Sequence, residues 1–148
     1  MTPSAEGRAM GGKPANWWII LAAGVLAAVF LLRDFVEHAH AILGHAGYRG
    51  LLTSPTMHHK VGEILVGAPL YMTALMRPVW PVDRIVANLK SARPLLALGS
   101  ALNLLAWVGS AAPASDFNKI WFLLLAVAGI AAPPILIRVL ASRKETPS

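Results

Sequence analysis

The sequence predicts an all-α integral membrane protein: four transmembrane helices forming an antiparallel bundle, both termini cytoplasmic, with a short amphipathic interfacial helix between helices 2 and 3. Three observations lead to this class. Of the 148 residues, 56% are hydrophobic and only 14% are charged, far from the balance of a soluble domain. Residues 14–32, 94–115 and 120–137 form three runs without a charged side chain, each long enough to cross a bilayer as a helix. Basic residues also alternate in density along the chain, which orients the bundle. Arg8, Lys13, Arg77, Arg84, Lys90, Arg93, Arg138, Arg143 and Lys144 fall on one side, and Arg33, Arg49, Lys60 and Lys119 on the other.

The first 15 residues are polar, rich in small residues and without periodicity, as expected of a flexible cytoplasmic tail. Residues 16–140 are predicted to form one transmembrane domain, followed by a basic cytoplasmic tail over 141–148. Helix one starts near Asn16 and places Trp17 and Trp18 at the interface. Nothing between Leu32 and Leu43 breaks a helix, so this element is expected to run to about Gly44 and project beyond the membrane. Residues 44–53, with Gly44, Gly47 and Gly50, are the predicted turn.

Helix two is predicted over residues 55–76. Its apolar stretch, 64–76, has 13 residues, or roughly 20 Å of helix against roughly 30 Å of hydrocarbon. Ser54 followed by Pro55 reads as an N-cap and first helical residue, which starts the helix earlier and puts His58, His59 and Glu63 on its first turns. Pro69 predicts a kink. Arg77 can snorkel to the interface, and Trp80 suits the headgroup region.

After Pro78 and Pro81, Val82, Ile85, Val86 and Leu89 fall at helical spacing while Asp83, Arg84, Asn88 and Lys90 fill the other side. This is the expected interfacial helix, lying on the cytoplasmic surface. Helix three, about 94–112, carries Asn103 near its middle, where an amide is expected to find an interhelical hydrogen bond. Helix four begins near Asp116 or Phe117, and Pro133-Pro134 is expected to bend or break it.

The formal charge of +6 is accounted for by the cytoplasmic bias and by anionic headgroups, so nucleic acid is not an expected partner. The expected partners are the bilayer and either further copies of the chain or a larger membrane complex. The inner (plasma) membrane of a bacterium is the expected location, with the histidine region facing the periplasm. An Ala39-His40-Ala41 pattern resembles a signal-peptide cleavage site, but Arg33, Asp34 and Glu37 separate it from the apolar run. The lack of cysteine excludes disulfides, thiolate ligation and thioether haem attachment.

All five histidines and three of the seven acids lie within residues 33–63. At about 100° per residue, Asp34, His38 and His45 fall within roughly 40° of one another, with Glu37 about 60° to the side. His59 and Glu63 share a face of helix two as an i, i+4 pair. Consecutive antiparallel helices pack side by side, so Asp34, Glu37, His38, His59 and Glu63 are expected to converge, with His45 and His58 near the rim.

That donor set suits a transition metal, zinc, iron, copper or manganese, held between helices. An alternative cofactor is haem b between His38 or His45 and His58 or His59, with Arg49 near enough to pair a propionate. No segment contains HExxH or the complete carboxylate–histidine set of a di-iron bundle. The competing expectation is a structural or assembly subunit, in which Arg33 pairs with Glu37, Glu63 answers Lys60 and the histidines are hydrogen-bonding loop residues.

Overall fold

The computed structural model describes residues 16–142, so the expected tail over 1–15 and all but the first two residues of the expected tail over 141–148 lie outside the described residues. Five helices and no strand occur among the described residues: α1 (Trp17–Thr53), α2 (Pro55–Met76), α3 (Val82–Ser91), α4 (Arg93–Gly109) and α5 (Phe117–Ser142). Two of them, α1 and α5, are each long and apolar enough to cross a membrane. The pair α3 and α4, bent by 50° at Ala92, meets the same criterion together.

The helix ends follow their local chemistry. Ser54 is extended, and its hydroxyl accepts from the backbone N–H of Met57 at 3.4 Å, while Pro55 occupies a first-turn position where an N–H would be unsatisfied anyway. Asp116 does the same for α5, accepting from Asn118 N at 2.9 Å and Lys119 N at 3.4 Å. The turn expected over 44–53 is instead helical. Its one break is Gly47, at φ 61° and ψ −164°, a backbone region that only glycine enters without strain. The chain therefore changes direction at Gly47, resumes as helix to Thr53 and turns into α2 through Ser54 alone.

Pro133 and Pro134 do not interrupt α5, which is continuous through both. The cost is local: neither proline offers an N–H to the carbonyl four residues earlier. The amphipathic α3 forms where expected, but its apolar face is covered by protein. Ile85 and Leu89 are fully buried against Leu140, with Trp80, Leu136 and Ile137 around them.

The interior is set by small residues. A Cβ on Gly62 would stand 2.7 Å from the carbonyl oxygen of Gly99, and one on Gly99 would stand 2.9 Å from that of Gly62, so α2 and α4 touch backbone to backbone. A Cβ on Gly129 would lie 2.1 Å from Ser100 Oγ and 2.9 Å from Leu96 O, bringing α5 equally close to α4. Val66 is buried in the junction and lies against both Gly99 and Gly129. Close approach of this kind gives dispersion contact where no hydrophobic drive separates helix from lipid.

By contrast, α1 stands to one side, against α2. None of its most apolar 18-residue stretch is buried. Near its N-terminus the Trp17 indole donates to Leu75 O at 3.1 Å, and the Tyr71 hydroxyl donates to Ile20 O. Tyr71 lies over Gly24, leaving no room there for a side chain.

Gly62→Ala must push α2 and α4 apart and is expected to destabilise the protein by about 1–3 kcal/mol. Gly67, on the same helix, is the control, because a methyl group there would meet nothing within 4 Å. Gly67→Ala is expected to be neutral or stabilising by up to about 1 kcal/mol. Thermal unfolding in detergent, followed by far-ultraviolet circular dichroism, compares the two.

Candidate functional site

The polar residues singled out by the sequence occupy the end of the molecule where α1 turns into α2 and α4 connects to α5. Gly109, at the end of α4, lies against Pro55 at the start of α2. Lys119 closes the α4–α5 connection by donating to Ser110 O at 2.9 Å and Ala112 O at 3.0 Å, with its ammonium 5.6 Å from the centre of the Trp107 ring.

His59 is the centre of this end. It is 6% exposed, and Asn103 is fully buried beside it. The Asn103 amide nitrogen donates to Gly99 O at 2.9 Å, which turns its oxygen toward His59 Nδ1 at 2.8 Å. An amide oxygen only accepts, so Nδ1 carries the hydrogen and donates. Nε2 is left facing Glu63, whose Oε2 lies 3.7 Å away. One face of the imidazole lies on Phe122 of α5, with ring centroids 4.2 Å apart and a 36° tilt. A single histidine thus joins α2 to α4 and α5.

Asp34 of α1, with His38 beside it, meets α2 through Lys60. The Lys60 ammonium pairs with Asp34 Oδ2. His38 Nδ1 lies 2.8 Å from the backbone oxygen of Asp34 and 3.2 Å from its Oδ1, so this nitrogen also carries a hydrogen. The lysine lies beside the carboxylate that a metal would need, and a cation there would meet like charge.

The remaining candidates go elsewhere. Glu37 accepts from Arg33 Nε at 2.7 Å, the i, i+4 pair expected of a structural subunit, on the exposed face of α1. Lys60 is given to Asp34, so Glu63 is answered by His59 instead of by lysine. His58 Nε2 donates to Leu52 O at 2.7 Å, satisfying one of the carbonyls orphaned at the end of α1. His45 is exposed on α1. Among the described residues, no three histidines, aspartates or glutamates come together as a group able to hold a metal ion.

The partners of three participants escape a sequence reading. Asn103 is visible as an amide too deep to be left alone, but nothing in one chain names His59 as its partner, 44 positions away. Lys60 is expected to answer Glu63 on its own helix, and its partner across to α1 emerges only when α1 and α2 are side by side, while Phe122 is one more apolar residue in a long run.

Removing the amide with Asn103→Leu leaves a buried N–H without an acceptor and is expected to cost about 1–3 kcal/mol. Nitrogen-15 spectra of the neutral imidazoles are expected to show His38 and His59 protonated on Nδ1 and His58 on Nε2. Asn103→Leu should release the Nδ1 preference of His59 alone.

Comparisons with known protein families, with curated proteins and with solved structures find no match.

Proposed function

We propose that this chain is a structural or assembly subunit of a membrane complex. It crosses the bilayer four times, as α1, α2, α4 and α5, with α3 at the cytoplasmic interface and both termini in the cytoplasm. The count of nine basic residues against four supports that orientation. At about 1.5 Å per residue, the 22 residues of α2 give roughly 33 Å of helix, enough for the hydrocarbon layer once the polar first turns are included. A bacterial inner membrane, with the histidine end in the periplasm, fits the same count.

One observation carries the structural reading: the side chains that looked like ligands are used to hold helices together. Asp34–Lys60 joins α1 to α2, His59–Asn103 joins α2 to α4, and His58 caps the end of α1. Over residues 19–32 the surface of α1 is apolar, with Val25, Leu26, Val29, Phe30 and Leu32 all exposed. That face suits lipid or a neighbouring membrane helix, either a second copy of the chain or a larger partner.

A second reading is favoured by the orientation of His59. Metal-ligating histidines usually donate their other ring N–H to a fixed acceptor, and Asn103 supplies that acceptor while Nε2 faces Glu63. Zinc, iron or copper held there would have two donors from this chain and would need others, from a second copy or a partner. Haem b is less well supported, because an axial bond would displace Glu63 from His59 Nε2 or Leu52 O from His58 Nε2.

Elemental analysis and an absorption spectrum of protein purified in mild detergent separate the readings. The structural subunit is expected to carry substoichiometric metal and no haem band. A photoreactive phenylalanine analogue at Val29 or Phe30 should then capture protein in native membranes. Stoichiometric metal that disappears in His59→Ala would overturn the structural reading, as would capture of lipid alone at both α1 positions.

A further inference from the structure

At the opposite end of the molecule from His59, α4 and α5 separate into a cleft of about 280 Å³ lined by Arg93, Ala97, Gly129, Ile130, Pro133 and Pro134. Three features give it chemistry. The Arg93 side chain is exposed and makes no ion pair or hydrogen bond among the described residues. Pro133 and Pro134, within the α5 wall, add only apolar side chains. Inward from the guanidinium the wall is apolar and low, because Ala97 and Gly129 are small.

The surrounding charge is mainly positive. The C-terminal ends of α2 and α5, all of α3 and the start of α4 bring Arg77, Arg84, Lys90, Arg93 and Arg138 to this end, against Asp83 among the described residues.

We propose that this cleft binds an anionic phospholipid. The Arg93 guanidinium donates to the phosphate at the surface, and the first part of an acyl chain runs inward along Ala97, Gly129 and Ile130. A positive side chain at the surface and an apolar trough inward of it match the phosphate and the acyl chain of such a lipid in order. The proposal rests on the membrane topology above, which puts this end at the bilayer surface, and not on the role of His59.

Native mass spectrometry of the delipidated full chain in dodecyl maltoside, titrated with dioleoyl phosphatidylglycerol or dioleoyl phosphatidylcholine, tests the site. The glycerol lipid is expected to bind at least about tenfold more tightly, and Arg93→Gln to remove about tenfold of its affinity. Arg84 lies at the same end with its guanidinium 5.8 Å from the Trp80 ring centre, so Arg84→Gln removes the same charge outside the cleft and should change binding less than about twofold. Ala97→Leu, which fills the trough without altering charge, should weaken binding as Arg93→Gln does.

Equal losses in Arg93→Gln and Arg84→Gln would replace the site with diffuse attraction and overturn the proposal. Equal binding of the two lipids would overturn it too, and so would full competition by soluble glycerol phosphate, which would assign the cleft to a free phosphate. Wild-type protein that floats with phosphatidylcholine vesicles yet shows no lipid preference loses the cleft alone. Protein that fails to float loses the membrane topology.

Discussion

The fold depends on the near-contact of three helix backbones at Gly62, Gly99 and Gly129. In a membrane, packing apolar side chains together gains little over packing them against lipid, so helices associate where their backbones come close enough to add dispersion contact and to bring polar groups within reach. The crossing of α2 and α4 meets both conditions. The same approach that excludes a Cβ from Gly62 brings His59, one turn away, against Asn103, so steric fit and hydrogen bond reinforce each other. A methyl group at the crossing would loosen both.

Beyond that junction the molecule divides into a tightly packed group, α2, α4 and α5, and two attached elements. The amphipathic α3 is held by Ile85 and Leu89 against Leu140. The long α1 is held by hydrogen bonds near its N-terminus and by Asp34–Lys60 farther along. Its apolar surface remains outside the bundle, which is the arrangement of a helix that meets lipid or another protein. The histidine end is therefore a set of ties, and His59 is the one member whose second nitrogen is left directed at a carboxylate.

Much of the helical layout is legible in the sequence because it rests on local rules. Ser54-Pro55 and Asp116 mark helix starts through side-chain capping, and the spacing of Val82, Ile85, Val86 and Leu89 marks α3. The partners are not legible, because they depend on rotation and depth. Asp34 and His38 do share a stripe as the helical period requires, yet it is Lys60 that reaches Asp34 from α2. Glycine carries opposite meanings here: Gly47 breaks α1 by its backbone angle, while Gly62 and Gly129 sit inside continuous helices to admit a neighbour. Composition cannot separate the two. Nor does a double proline reveal that α5 continues through it, since what matters is whether the lost hydrogen bonds fall where the helix is supported by α4.

The single-residue connection at Ser54 has a further consequence for biogenesis. With so short a link, α1 and α2 enter the membrane as one hairpin, and on the proposed topology its tip must pass through the hydrocarbon to the far side. Residues 33–63 include Arg33, Asp34, Glu37, Arg49, Lys60 and Glu63, three cations and three anions. The passenger segment is electrically neutral in sum, and pairs formed early, such as Asp34 with Lys60, lower the solvation penalty of carrying those groups across.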